Sequence, residues 1–335
     1  MTLSKQSMTK CYFARRVAAF LTVIAATIFS AVPLSQASAD GSQQTKMPAT
    51  GSTSGPWRYL RLSSPDRVVV SDDLGTLATF TVGSVSVAIR GTKRTFSEST
   101  TSATVTSKTW VRLLPRPFTG TVSESWLTSE LNDRTPDVLT TAAQYITGAT
   151  QLFDASGRQY AGDASYGPLQ SDGSRQEGSD FNDYLGVSWQ YPGYVDAPDS
   201  AQFGALDCSG FVRMVFGYRA SLSMVLSPDG VGLPRRAVQM YASAPGTVLI
   251  DDKGTTPTQL KTMLPGDLVF FDASADDGTA IDHVGLYVGM DNAGAPRFVS
   301  SRKTVDGPTL GDVGGRSILT GSGYYATAFR AVRRL

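Results

Sequence analysis

Two side chains of this sequence can do nucleophilic chemistry together: a cysteine, Cys208, and the only histidine of the chain, His283. Cys208 stands in Leu206-Asp207-Cys208-Ser209-Gly210-Phe211, and the apolar-periodic stretch Val212-Arg213-Met214-Val215-Phe216 follows it. That pattern predicts a helix beginning at the cysteine. Free N–H groups and the positive end of a helix dipole favour negative charge, so the thiol pKa is expected below its ordinary value of about 8.5. His283 stands in the strand-like run Ile281-Asp282-His283-Val284-Gly285-Leu286-Tyr287-Val288-Gly289. Side chains alternate along a strand, so Val284, Leu286 and Val288 share a core-type face, and His283, Gly285 and Tyr287 share the other. Gly285 leaves room beside the imidazole. A helix-borne thiol packed across this strand would meet His283, and the pair would form the thiolate–imidazolium nucleophile of a cysteine hydrolase.

Either residue alone has a plainer reading, since a lone cysteine is often a small buried hydrophobe and a lone histidine a core or surface residue. Their conjunction, with a glycine near each, favours catalysis. Other chemistries lack parts. A zinc site takes three or four ligands, mostly Cys and His, and one of each is too few, so no metal or cofactor is expected. No Gly-x-Ser-x-Gly elbow joins a strand to a helix. Asp312-Val313-Gly314-Gly315-Arg316 lacks the strand and spacing of a phosphate loop. The pairs Asp251-Asp252 and Asp276-Asp277 lie in polar stretches and read as solvated surface.

The elements that must hold these groups come from a chain of 335 residues, long enough for about two domains. Its first 39 residues stand apart. Lys5, Lys10, Arg15 and Arg16 precede an apolar run from Val17 to Val32, and Ala37-Ser38-Ala39 supplies a small-x-small cleavage pattern. The run contains Thr22, Thr27 and Ser30 and ends at Pro33, short for a membrane span of about 20 apolar residues. Residues 1–39 therefore read as a secretory signal peptide, with the mature chain starting near Asp40 and no stable membrane insertion afterwards. General secretion fits better than twin-arginine export, because Val17-Ala18-Ala19 continues Arg15-Arg16 poorly. Cys11 would leave with the signal, making Cys208 an unpaired thiol in an exported protein. The formal charge of +1 becomes 26 − 29 = −3 once four bases are removed, which gives no basic field for nucleic acid.

Residues 40–56, rich in Ser, Thr, Gly and Gln, read as a flexible linker. Residues 57–118 carry β-branched runs such as Val68-Val69-Val70 and Leu77 to Val82, punctuated by turn pairs, and read as a small β-rich module without catalytic groups. It reads first as a packing subdomain, with wall or ligand binding as the alternative. Residues 119–335, with a core over 180–335, read as the catalytic domain. Trp126 to Leu131 and Pro136 to Ile146 suggest helices. The polar stretch 154–180 is long enough to be a functional loop, and its place before Cys208 suggests a cleft wall. Helices followed by a run of antiparallel strands make the fold class α+β.

Four motifs in order, Asp207-Cys208-Ser209-Gly210-Phe211, Leu233-Pro234-Arg235, Leu264-Pro265-Gly266-Asp267-Leu268-Val269-Phe270-Phe271 and Asp282-His283-Val284-Gly285-Leu286-Tyr287-Val288-Gly289, resemble those of NlpC-type cysteine peptidases. These are papain-like bacterial peptidoglycan endopeptidases. The resemblance is specific over 200–290, extends plausibly over 137–335 and does not touch 57–118. It implies a helix carrying Cys208 packed on an antiparallel sheet carrying His283, and hydrolysis of peptidoglycan stem peptides, typically at the γ-D-glutamyl–diaminopimelyl bond. A related papain-like muramoyl-alanine amidase, or a noncatalytic wall-binding protein on the same scaffold, are the alternatives. It implies Cys208 as nucleophile, His283 as base and then acid, and the Cys208 N–H as an oxyanion donor. It implies Asp207 and the neighbouring Ser209 at the substrate. The family's third polar residue, which orients the imidazole, falls on Ser300 in Phe298-Val299-Ser300-Ser301. Its oxyanion-site tyrosine falls on Trp189, or on Tyr191 if the register shifts.

Overall fold

A computed structural model describes residues 57–228 and 231–335. The expected signal peptide, the linker and Cys11 lie outside the described residues. The described residues fall in one compact unit. No helix among the described residues is long and apolar enough to cross a membrane.

The N-terminal part is a five-stranded antiparallel meander of β1 (Arg58–Leu62), β2 (Arg67–Asp72), β3 (Gly75–Thr81), β4 (Ser86–Phe96) and β5 (Val105–Leu113), in sequence order. Alternation in these strands buries Val68, Val70, Phe80, Val87, Ile89 and Trp110 on one face. The helix α1 (Glu124–Asn132) closes that core with Leu127 and Trp126, so the first core runs on past residue 118. Ser123 starts α1 by accepting the Trp126 N–H at 3.3 Å. Asp137 starts α2 (Val138–Ala143) and also accepts from Val111 N and the Arg94 guanidinium, tying the helix to β4 and β5. A short hairpin, β6 (Leu152–Phe153) with β7 (Gln159–Ala161), then leads into the loop 162–180.

The C-terminal part repeats the theme of aspartate-started helices. Asp180 caps α3 (Phe181–Leu185) in a capping box with Asp183. After a hairpin of β8 (Trp189–Tyr191) and β9 (Tyr194–Asp196), Asp207 caps α4 (Cys208–Val212). The helical run continues as a π-helix over Arg213–Arg219, and α5 (Ala237–Ser243) follows. The remaining strands β10 (Thr247–Ile250), β11 (Leu268–Phe271), β12 (His283–Met290), β13 (Pro296–Arg302), β14 (Gly307–Thr309) and β15 (Phe329–Arg334), with α6 (Tyr324–Ala328) before the last, form an antiparallel sheet. Its order is β10-β15-β11-β12-β13-β14. One face, with Val284, Leu286, Val288 and Val299, packs on α4 through Phe211 and Val212. The other face carries Phe271, Tyr287 and Phe298 against Tyr325 and Phe329. This is the α+β arrangement expected, with a β-rich module before it.

The two parts are joined by buried polar contacts. Arg334 of β15 pairs with Asp267 at 2.7 Å and donates to Thr81 of β3. Glu98, buried just after β4, accepts from Thr309 Oγ1 at 2.7 Å and Leu310 N at 2.8 Å, and also from Thr100. Removing that acceptor strands buried donors, at about 1–3 kcal/mol. Glu98→Ala is expected to lower the unfolding free energy by that amount, read as a lower urea midpoint at unchanged m-value in chemical denaturation of the whole chain.

Candidate active site

The head of α4 is built around the Asp207 carboxylate. Its Oδ1 accepts from Gly210 N at 2.7 Å and Ser209 Oγ at 3.1 Å; its Oδ2 accepts from Gly178 N at 3.0 Å and Arg235 Nη2 at 2.7 Å. Burial alone would raise its pKa, but the Arg235 charge and hydrogen bonds outweigh that and hold it below the usual carboxylate value. Ser209 Oγ also accepts from Arg235 Nη1 at 2.7 Å. Gly210 is required by close approach, since a Cβ there would lie 2.1 Å from Ser179 O. The Ser179-Asp180 backbone therefore runs directly over the helix, and Asp180 meets the fully buried Arg213 at 2.9 Å.

Cys208 is buried and unpaired, and its Sγ lies 4.0 Å from the carbonyl oxygen of Asp282. It lines a cavity of about 420 Å³ with Arg235, Arg236, Ile281 and Asp282. His283 lines a second, of about 450 Å³, with Ser274, Arg302, Lys303, Tyr324 and Tyr325. Tyr166, Glu177 and Asp282 wall both. The two cavities are thus lobes of one cleft, thiol in one and imidazole in the other. The loop 162–180 forms its roof, in agreement with the cleft wall expected of that stretch.

The ionisation state differs from expectation. Burial first, and the Asp207 charge second, push the Cys208 thiol up to about 12, against the Val284 N–H, which favours thiolate. Burial first, and the Arg302 charge second, push His283 down to about 3. Among the described residues no hydrogen bond joins Sγ to the imidazole, and His283 Nε2 is buried without a partner. Both shifts favour a neutral thiol and a neutral imidazole over an ion pair, because desolvation opposes the charged form of each group.

Three sequence expectations change in detail. The space at Gly285 is filled: a Cβ there would lie 3.0 Å from the Phe298 ring and from Ser300 Cβ. That glycine admits the neighbouring strand, and α4 packs on the opposite face, so the thiol approaches β12 at its Asp282 end. Ser300 is buried, but its Oγ accepts from Arg302 Nε at 3.0 Å and makes no bond to His283. Trp189 and Tyr191 line neither lobe. Trp189 packs edge-on to Phe181 and Tyr218, and the buried Tyr191 hydroxyl accepts from Arg213, whose remaining N–H requires an acceptor. The tyrosine beside the thiol is Tyr166, which sequence reasoning missed. Ser165 holds it there by accepting from Leu206 N at 2.8 Å, and Asp306 Oδ1 accepts from Tyr166 N at 3.0 Å. Its only sequence signal was an aromatic residue inside a Gly/Ser/Asp-rich loop.

Residues 186–307 match the sequence model of the NlpC/P60 family. Through this segment the chain is similar to the NlpC-type peptidases. Over 83 residues, 25% of this chain, it is 39% identical to the protein named "Probable endopeptidase p60" of Listeria innocua and 37% identical to that of Listeria monocytogenes. The chain spans 12% of the length of either relative. Among solved structures, NlpC2 from Trichomonas vaginalis aligns at 12% identity and a TM-score of 0.29, covering 83% of this chain and 81% of that one.

A raised thiol pKa has a direct readout. Alkylation of the Cys208 peptide by iodoacetamide is expected to be slow at pH 7 and to climb through pH 8 to 11, where an ordinary thiol levels off above about 8.5. Quantitative mass spectrometry across that range measures it, and a plateau already reached at pH 7 would contradict the buried neutral thiol.

Proposed function

We propose that this chain is an exported cysteine peptidase that hydrolyses peptide stems of peptidoglycan. One observation carries the reading: the thiol of Cys208 and the imidazole of His283 open on adjoining lobes of one cleft that share Tyr166, Glu177 and Asp282 as walls. The family and the names of its relatives support a peptidase, and the basic-then-apolar start of the sequence supports export to the cell wall.

In this reading Cys208 Sγ attacks the scissile carbonyl carbon while its proton passes to the His283 imidazole. The carbonyl π pair moves onto oxygen, and the amine leaves with the proton that His283 returns. Water, deprotonated by His283, then releases the acyl group from the thioester and restores the thiol. Among the described residues no acceptor takes the Cys208 N–H, which leaves it for the developing oxyanion, with the Tyr166 hydroxyl as the second donor. Asp207 is saturated by Arg235, Ser209, Gly210 and Gly178, so its part is to hold the helix start and the cleft roof. The bond cleaved is the γ-D-glutamyl–diaminopimelyl link.

Digestion of purified peptidoglycan tests this. The native chain is expected to release cleaved stems, and Cys208→Ala to lower release by orders of magnitude. Equal release by the two proteins would remove Cys208 from the mechanism. Mass analysis of the fragments identifies the bond, since muramoyl–alanine cleavage leaves a different amino terminus. Tyr166→Phe is expected to lower kcat by about a hundredfold or more while the fold is kept, as for the loss of one oxyanion donor.

A further inference from the structure

β13 ends in a buried cation that no carboxylate neutralises. Arg302 is 2% exposed. Its Nε donates to Ser300 Oγ at 3.0 Å, Nη1 to Gly315 O at 2.7 Å and Nη2 to Ser317 Oγ at 2.6 Å, all uncharged acceptors. Its guanidinium lies 4.2 Å from the Tyr325 ring centroid and 5.0 Å from that of Phe298. The buried Arg213, Arg297 and Arg334 each meet a carboxylate within 3.0 Å, while Arg302 enters no ion pair among the described residues. An unpaired buried charge is costly, and here it stands beside the imidazole.

The antiparallel register pairs Leu286 with Val299 and Tyr287 with Phe298, and the same step carried back brings His283 level with Arg302 on one face. Both pack on Tyr325, the imidazole at 5.5 Å between ring centroids. His283 Nε2 is buried with no acceptor, whereas an imidazolium needs one at each nitrogen. Of the other charges facing the ring, Asp207, Glu177 and Lys303 are in ion pairs: Asp207, at the head of α4, with Arg235, and Glu177 of the cleft roof with Lys303 at 2.6 Å. Asp282 accepts from Ala273 N and Ser274 N, and Tyr324 and Tyr325 of α6 are neutral phenols with raised pKa. Arg302 is the unpaired cation of this set among the described residues.

The geometry points to Arg302 as the positioning residue that holds His283 neutral, two residues along β13 from Ser300, where the resemblance to the family put an orienting acceptor. The site then rests as thiol and free base. The proton leaves Cys208 only as the S–C bond forms and negative charge gathers on the substrate oxygen, and a buried thiol at rest is spared alkylation and oxidation. This rests on the reading of Cys208 and His283 as the reacting pair, but its test does not.

His283 is the only histidine, so an untagged chain gives one imidazole Cε1–H resonance, and its pH titration by NMR reads this ring alone. The native protein is expected to titrate at least one pH unit below the ordinary value of about 6.5. Arg302→Gln should raise that midpoint by a unit or more, a tenfold gain in proton affinity, and move the acid limb of kcat/KM upward by the same step. Arg302→Lys, which keeps the charge, should leave both where they are. Arg302→Met, which keeps the apolar stem, replaces the glutamine variant if that one does not fold. A native midpoint near 6.5, or a neutral variant titrating with the native protein, overturns the proposal. A shifted midpoint together with undiminished wall digestion by Cys208→Ala would leave the charge control standing and remove the catalytic pair.

Discussion

The Asp207–Arg235 pair is the interaction on which the candidate site depends. One carboxylate collects a helix start at Gly210, the cleft roof at Gly178 and the Leu233-Pro234-Arg235 segment, which are far apart in sequence. Arg235 also reaches Asp180 at 3.5 Å, and Asp180 holds Arg213. Breaking a buried pair of this kind typically costs about 3–5 kcal/mol, because the surviving charge is left without water or partner. The same carboxylate stands one residue from the thiol and opposes its ionisation. The group that caps the helix at Cys208 thus adds to burial in opposing ionisation of its thiol. Against this the helix end offers only about 0.3–1 kcal/mol, less than the about 1.4 kcal/mol that a tenfold change in proton affinity requires.

The N-terminal sheet helps to hold these charges in place. Glu98 grips Thr309 and Leu310, Thr101 donates to Asp312, and Asn292 accepts from Thr104 N. These contacts fix the segment that leads to Gly315 and Ser317, two of the three acceptors that seat Arg302. Arg334 and the bonds from Ser84 and Ser86 to residues 334 and 335 fasten β15, on the far side of the C-terminal sheet from β13 and β14. Through these joints the module packs on the C-terminal sheet.

Periodicity made much of this visible beforehand. The alternation in 281–289 placed Val284, Leu286 and Val288 on the helix-facing side, and the Asp-Cys-Ser-Gly-Phe turn placed the thiol at a helix start, because both patterns are local consequences of backbone geometry. Asp207 was read as a substrate group when its lone pairs are all engaged in the fold, since a capping aspartate and a binding aspartate look alike in one dimension. Gly285 showed a missing side chain but not what would fill it. Ser300 was the right position on the strand and the wrong partner, because an arginine two residues on claims its hydroxyl. Tyr166 lay in a loop without periodicity, where only tertiary contacts with Leu206 and Asp306 locate it.

Ionisation was the least legible feature because it depends on burial, which is a property of the whole fold. A neutral thiol with a neutral imidazole holds the same protons as a thiolate with an imidazolium, so no proton need enter from solvent to pass between the two states. What separates them is charge separation in a buried site: burial first, and Asp207 second, disfavours the thiolate, and burial first, and Arg302 second, disfavours the imidazolium. The compensating negative charge on a substrate oxygen can arise only where donors face it, and the residue common to both lobes with a polar tip for that purpose is Tyr166. Under the proposed function, substrate binding and formation of the nucleophile become a single event, which places the weight on the loop that carries Tyr166 into the cavity of Cys208.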